Sequence, residues 1–76
     1  MNELLQLLVK SIVDTPEEVT ISEVVGEKAV VYEIKVAESD IGKVIGKQGR
    51  IINAIRTIVR AAAVKDGKKV SIELLG

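Results

Sequence analysis

The stretch IGKVIGKQGRII, residues 41–52, contains three glycines. The last two, Gly46 and Gly49, are the ones from which the chain's architecture can be inferred. Gly46 and Gly49 separate two segments with helical patterns, so residues 46–49 must turn the chain sharply. Glycine adopts positive φ and permits close backbone approach without steric cost. The second helix would direct free N–H groups and a positive dipole end at the turn, and Lys47 adds a charge at its tip. We therefore predict a phosphate-binding turn formed by Gly46, Lys47, Gln48 and Gly49.

Two other glycine motifs do not fit this stretch. A Walker A loop has four residues between its glycines and a Ser or Thr after its Lys, whereas three residues separate Gly42 from Gly46 and Gln48 follows Lys47. The Gly42–Gly46 spacing also occurs in membrane helix dimers, but there it lies in a long apolar segment. The stretch therefore indicates neither a P-loop nor a transmembrane dimer.

The N-terminal segment predicts an amphipathic helix from Asn2, its N-cap, to Asp14. Its apolar arc spans about 240°, more than the roughly 100° of a core-facing stripe, so we expect part of it to face a partner. The helix ends at Thr15-Pro16, because proline disfavours the α conformation of the residue before it. The arc comprises Leu4, Leu5, Leu7, Leu8, Val9, Ile12 and Val13.

Two β-rich segments follow, Val19–Val25 and Ala29–Val36, and Gly26-Glu27 predicts a hairpin between them. Alternation in the second segment predicts one buried face, formed by Val30, Tyr32, Ile34 and Val36. A short helix capped by Ser39 or Asp40 should reach about Val44 and stop at Gly46.

A longer helix is predicted from Arg50 to Val64, terminated by Asp66-Gly67. Its apolar arc of about 140° contains Ile51, Ile52, Ile55, Ile58, Val59, Ala62 and Ala63, and leaves Asn53, Arg56 and Arg60 outside. A last strand follows from the alternation of Val70, Ile72 and Leu74.

These elements give the order αββααβ. The strand before the helical pair should run parallel to the strand after it, through a right-handed crossover. We predict an α+β fold, with a three-stranded mixed sheet covered on one face by three helices. With 76 residues, the chain is expected to form a single domain, residues 1–76.

The composition argues against several classes of function. The chain has no Cys, His, Trp or Phe, so it lacks thiol nucleophiles, zinc cages and the side chain that most often serves in acid–base catalysis. We expect neither an enzyme nor a bound metal or cofactor. Because the start has no basic signal-peptide region and no apolar run approaches about 20 residues, we also expect no membrane association and a cytoplasmic location.

The zero net charge conceals a strong asymmetry. Residues 1–34 carry seven acids against two lysines, and residues 35–76 carry nine bases against four acids. Within 43–69 eight bases face one acid, Asp66. This pattern favours an anionic partner for the second half, although a solvated helix face explains the same charges equally well.

The αββααβ order and the turn between two helices together resemble a KH domain of type II. The segment 44–52, VIGKQGRII, fits the family signature without a gap, and the small size is similar to stand-alone bacterial KhpA-like RNA-binding proteins. The resemblance implies an RNA chaperone or post-transcriptional regulator that binds about four nucleotides of single-stranded RNA. It further implies a homodimer or a complex with a KhpB (Jag-like) KH protein, linked in some bacteria to cell elongation and cell-wall homeostasis.

Carried over by position, the resemblance assigns Gly46, Lys47, Gln48 and Gly49 to the phosphate clamp. It assigns Ile41, Val44, Ile45 and Ile52 to an aliphatic groove wall, and Lys43, Arg50 and Arg56 to its charged surroundings. For Ile45 and Ile52 a core position is the favoured interpretation, and Gly42 is interpreted as letting the short helix pack closely. A lysine at a loop tip has little structural reason to be there, so Lys47 is the first candidate for RNA contact.

The scarcity of aromatic residues separates this family from other RNA-binding folds. RRM and OB-type sites stack bases on aromatic rings, and Tyr32 is the single aromatic residue of the chain. One domain without stacking platforms should bind RNA weakly, so several sites would be combined. The alternative function is a protein-interaction adaptor that keeps the KH fold, uses the apolar arc of the first helix and binds RNA feebly.

Overall fold

The computed structural model describes residues 2–64 and 67–75, and its elements follow the predicted order αββααβ. The helices are α1 (Asn2–Lys10), α2 (Ile41–Ile45) and α3 (Arg50–Ala63), and the strands are β1 (Thr20–Val25), β2 (Ala29–Lys35) and β3 (Lys69–Leu75). Single 3-10 turns occur at Pro16–Glu18, Glu38–Asp40 and Lys47–Gly49. The α+β class is therefore confirmed.

The three strands form one mixed sheet in the order β1-β2-β3. β1 and β2 pair antiparallel through the predicted hairpin, where the Gly26 N–H donates to the Ala29 carbonyl at 2.7 Å. β2 and β3 pair in parallel, with Tyr32 beside Ile72. The predicted parallel relation across the helical pair is confirmed, and β3 lies at an edge of the sheet.

The core lies between one face of the sheet and the helices. Val30, Tyr32, Ile34 and Val36 are all buried, as the alternation predicted. The helices contribute Leu5, Val9, Val44, Ile52, Ile55 and Val59 to the same cluster. Because α2 and α3 are both anchored in this cluster, the turn between them has a fixed position relative to the sheet.

α1 ends at Lys10, earlier than the predicted Asp14. The Ser11 hydroxyl donates to the Leu8 carbonyl at 2.7 Å, a local hydrogen bond that competes with continuation of the helix. Ile12 and Val13 leave the helix but still pack against the core. Most of the wide apolar arc therefore packs within the chain. Leu7, which is 68% exposed, is the member of the arc that projects into solvent.

α3 closely follows its predicted span. It buries Ile52, Ile55, Val59 and Ala63, whereas Ile51 and Ile58 of the predicted arc remain exposed. The helix ends at Ala63, one residue before the predicted Val64. Of its predicted terminator, Asp66 lies outside the described residues and Gly67 has a positive φ of 68°.

Candidate nucleic-acid interface

The turn between α2 and α3 has an unusual backbone. Gly46 (φ 75°, ψ 176°), Gln48 (φ 56°, ψ 27°) and Gly49 (φ 73°, ψ 15°) all have positive φ. The Gly49 N–H closes the turn by donating to the Gly46 carbonyl at 3.2 Å. The sharp glycine-dependent turn predicted from residues 46–49 is therefore present.

Gly46 is required by packing as well as by conformation. A Cβ at this position would lie 2.6 Å from Cγ1 of Ile51, and its φ and ψ fall in a region used almost exclusively by glycine. At Gly49 the φ is equally positive, but a Cβ would make only ordinary van der Waals contacts, with Asn53 Nδ2 at 3.6 Å and Ile52 Cγ2 at 4.0 Å. At Gly46 the turn therefore packs closely against Ile51 of α3, whereas at Gly49 there is room for a Cβ atom.

The tip of the turn combines positive charge with backbone donors. Lys47 and Gln48 are both exposed, and Arg50 is exposed immediately after them. Gly49 is the N-cap residue of α3 and has no side chain with which to occupy the first-turn N–H groups. A 14-residue helix directs its positive dipole end at the same place. This geometry suits an anion such as a phosphate group.

Lys43 does not extend freely from α2. Its Nζ forms an ion pair with the Asp14 carboxylate and lies 3.8 Å from Asp40 Oδ1. Asp40 itself is 1% exposed, and its carboxylate accepts the backbone N–H groups of Asp14 (3.2 Å) and Thr15 (3.0 Å). Asp40, one of the two predicted caps, does occupy the N-cap position of α2, but its side chain makes no capping hydrogen bond. Its carboxylate instead holds the segment after α1 against α2.

The four predicted wall residues divide between the core and the surface. Val44 is fully buried and Ile52 is 7% exposed, so both side chains lie beneath the protein surface rather than on it. For Ile52 this confirms the favoured core interpretation, whereas Val44, assigned to the groove wall by the resemblance, has no exposed surface of its own. Ile45, 38% exposed, contradicts the core interpretation, and Ile41 is partly buried against the core. Ile41 and Ile45 are the two members that retain accessible surface.

Gly42 has a different environment from the one predicted. A Cβ at Gly42 would meet nothing within 4 Å, so close packing within the chain does not explain this glycine. An exposed glycine inside a helix costs about 1 kcal/mol relative to alanine. The position leaves the backbone of α2 bare beside Lys43, where a ligand can approach closely.

Arg56 joins α3 to the edge strand. Its guanidinium donates to Asn53 Oδ1 at 3.2 Å and to the Ile72 carbonyl at 3.5 Å. Arg56 thus lies over the seam between α3 and β3, with Asn53 between it and Gly49. Asn53 was not among the predicted site residues, and its spacing of four from Gly49 on a helix is the sequence signal that identifies it.

Two further properties concern the described residues 2–64 and 67–75. They contain no group of three or more acidic, His or Cys side chains that could hold a metal ion. None of their helices is long and apolar enough to cross a membrane.

Comparisons with known proteins agree with this architecture. The sequence model of the KH domain of KhpA/KhpB matches residues 2–74. Proteins named RNA-binding protein KhpA are similar to the chain, with 55% identity in Clostridium perfringens and 56% in Clostridium acetobutylicum, each over 99% of this chain and all of the relative. One from Borreliella burgdorferi is 45% identical over 96% of this chain and 89% of its own length. On these grounds the chain belongs to the KhpA/KhpB family of KH domains.

Proposed function

We propose that this protein binds single-stranded RNA by holding the sugar–phosphate backbone at the turn 46–49. The observation that carries the proposal is the bare N-terminus of α3, which begins at a glycine N-cap beside the exposed Lys47 and Gln48. The ligand's phosphates would interact with the lysine ammonium and with the positive dipole end of α3, whose first N–H group, that of Arg50, donates to the Lys47 carbonyl. Ile45 and the bare backbone at Gly42 supply an adjoining surface for unpaired bases.

RNA is favoured over other polyanions by the relatives, whose names state RNA binding. We propose that the protein acts as an RNA chaperone or post-transcriptional regulator in the cytoplasm. Together with a KhpB-like partner, it would act at the RNA level on cell elongation and cell-wall homeostasis, a role supported by membership of the family.

The decisive variant combines Lys47→Asp with Gln48→Asp. It replaces one positive charge by two negative ones where a phosphate would approach, so RNA affinity should fall by at least about tenfold. Both side chains are exposed, so the free energy of unfolding should change by no more than about 1 kcal/mol. Fluorescence anisotropy with a ten-nucleotide, random-sequence RNA measures the affinity, and thermal melting of the same samples checks the fold.

The matched control is Lys10→Asp with Thr20→Asp. It makes the same change in net charge at two exposed positions on α1 and β1, which contribute no residue to the turn or to α2 and α3. The control should retain most of the affinity. If the turn variant is folded and binds as tightly as the control, the RNA site lies elsewhere on the protein.

We also propose that the chain pairs with a second KH domain, either another copy or a KhpB-like protein. Apolar surface remains exposed at Leu7 on α1 and at Leu75 on β3, both outside the main core. Sedimentation at tens of micromolar, with and without 1 M salt, should show a dimer under both conditions because apolar contacts resist salt. A monomer at both salt concentrations would rule out self-association by this surface.

A further inference from the structure

A cavity of about 400 Å³ lies at the far end of α3 from the turn. It opens between the last turns of α3 and the beginning of β3, and its lining residues are Arg60, Val64, Lys68, Lys69, Val70 and Ser71. Three of the six are basic, two are aliphatic and one carries a hydroxyl group. Val64 is 74% exposed, so an apolar surface is available beside the charges.

One face of α3 connects this cavity with the turn. Residues three or four apart on a helix are neighbours on its surface, and such a row runs through Gly49, Asn53, Arg56, Arg60 and Val64. Gly49, at one end of the row, closes the turn, and Arg60 and Val64, at the other end, line the cavity. In its middle, Arg56 donates to the Ile72 carbonyl. The row therefore follows the seam between α3 and β3 from one end to the other.

The cavity is too distant to strengthen the turn through space. From Gly49 to Val64 the row rises by 15 residue steps, which corresponds to about 22 Å along a helix. At physiological salt the Debye length is about 8 Å, so exposed charges at the cavity are screened from a phosphate at residues 46–49. Arg60, Lys68 and Lys69 can therefore stabilise only phosphates that lie in the cavity itself.

We propose that the cavity is a second backbone-binding site for the RNA strand held at the turn. The strand would follow the seam, pass Arg56 and place a further phosphate among Arg60, Lys68 and Lys69, with a ribose or base against Val64. This inference rests on the proposed function and extends the ligand beyond the short segment at the turn. It predicts that affinity increases with RNA length until the strand reaches both sites, and is then constant.

The experiment compares random-sequence RNAs of four and ten nucleotides. For Arg60→Gln with Lys68→Gln, the affinity for the ten-nucleotide RNA should fall on the order of tenfold, and that for the four-nucleotide RNA should stay within about twofold. The matched control, Lys10→Gln with Lys35→Gln, removes two exposed lysines away from the seam and should leave both affinities nearly unchanged. Equal loss for the two RNA lengths, or no loss for either, would overturn the proposal.

The unmodified protein provides a second measurement that does not depend on a variant. In NMR titrations, the amide signals of Lys69, Val70 and Ser71 should shift with the ten-nucleotide RNA and not with the four-nucleotide RNA. Signals of the turn should shift with both. If the turn responds and residues 69–71 do not, the second site is refuted and the proposed function stands; if the turn does not respond to either RNA, the proposed function fails as well.

Discussion

Gly42 and Gly46 lie one helical turn apart and differ in their tolerance for a side chain. Gly46→Ala places a methyl group against Ile51 in a backbone conformation reserved for glycine, so it should destabilise the protein by about 2–4 kcal/mol. Gly42→Ala adds a methyl group in open space within a helix and should stabilise it by about 0.5–1 kcal/mol. Urea unfolding of both variants measures the two effects.

The Gly42→Ala variant also reports on the ligand. If RNA approaches the bare backbone of α2, this variant should bind RNA more weakly although it is more stable. Opposite changes in stability and affinity cannot arise from unfolding. A similar destabilisation by both alanines would contradict the environments described for the two glycines.

At the residue scale, the sequence alone predicted correctly those features that depend only on neighbouring residues in the chain. The need for glycine at 46 and 49 follows from a four-residue turn between helices, and no distant contact enters the argument. The environment of Lys43 depends on Asp14, 29 positions away, so it could not be read from the spacing. The resemblance assigned Val44 and Ile45 together to the groove wall. With only five residues, α2 is too short for a periodic pattern to separate its buried side from its exposed side.

At the scale of elements, α2 is a short helix held in place from outside. Five residues are too few for a helix that is stable by itself. Val44 anchors it in the core, and the buried carboxylate of Asp40 binds the backbone of residues 14 and 15 next to it. The segment after α1 is thereby coupled to the helix that leads into the turn.

This arrangement predicts that Asp14 restrains RNA binding. The Asp14 carboxylate competes with phosphate for Lys43, so Asp14→Asn should raise RNA affinity by roughly twofold to fivefold. The pair is largely exposed, and its loss should change the free energy of unfolding by less than about 1 kcal/mol. The Asp40 contacts are made by backbone N–H groups and survive the substitution.

Anisotropy titrations of Asp14→Asn and of Glu23→Gln provide the comparison. Glu23 is exposed on β1, and its substitution makes the same change in net charge. If both variants bind RNA equally well, the increase is a general charge effect and Lys43 lies outside the path of the strand.

The elements themselves were predicted more accurately than their ends. Alternation in β2 and helical periodicity in α3 reflect burial over many residues. A small error in a predicted boundary therefore leaves the type of element unchanged. At the end of α1 the Ser11 hydroxyl donates to the Leu8 carbonyl, a local hydrogen bond that sequence periodicity does not reveal. Sequence periodicity continues through Ile12 and Val13 because both still pack on the core without being helical.

At the scale of the whole molecule, the charge is divided between the two halves of the chain. The second half contains the turn, α3 and β3, so most of the basic residues belong to the part of the chain where RNA is proposed to bind. Binding of a four-nucleotide single strand should weaken with salt at a log–log slope of about −2 to −3, because three or four phosphates contribute roughly −0.7 each.

Affinities for this RNA at several salt concentrations between about 0.05 and about 0.5 M would measure the slope. Double-stranded RNA should bind less well, because unpaired bases are needed beside the turn. A slope near zero would favour the adaptor function, in which apolar contacts dominate. Tighter binding of duplex than of single strand would contradict the proposed mode of recognition.

The parallel pairing of β2 with β3 encloses α2, the turn and α3 within a single crossover connection. The proposed RNA site therefore requires the two strands to remain paired, and separating β3 from β2 would dismantle it. Bound RNA must raise the free energy of that opening by RT ln(1 + [RNA]/Kd). The first turn of α1 lies outside the crossover and can fray without releasing the ligand. Slowed hydrogen exchange along the β2–β3 ladder, with α1 unchanged, is thus the thermodynamic signature of an occupied turn.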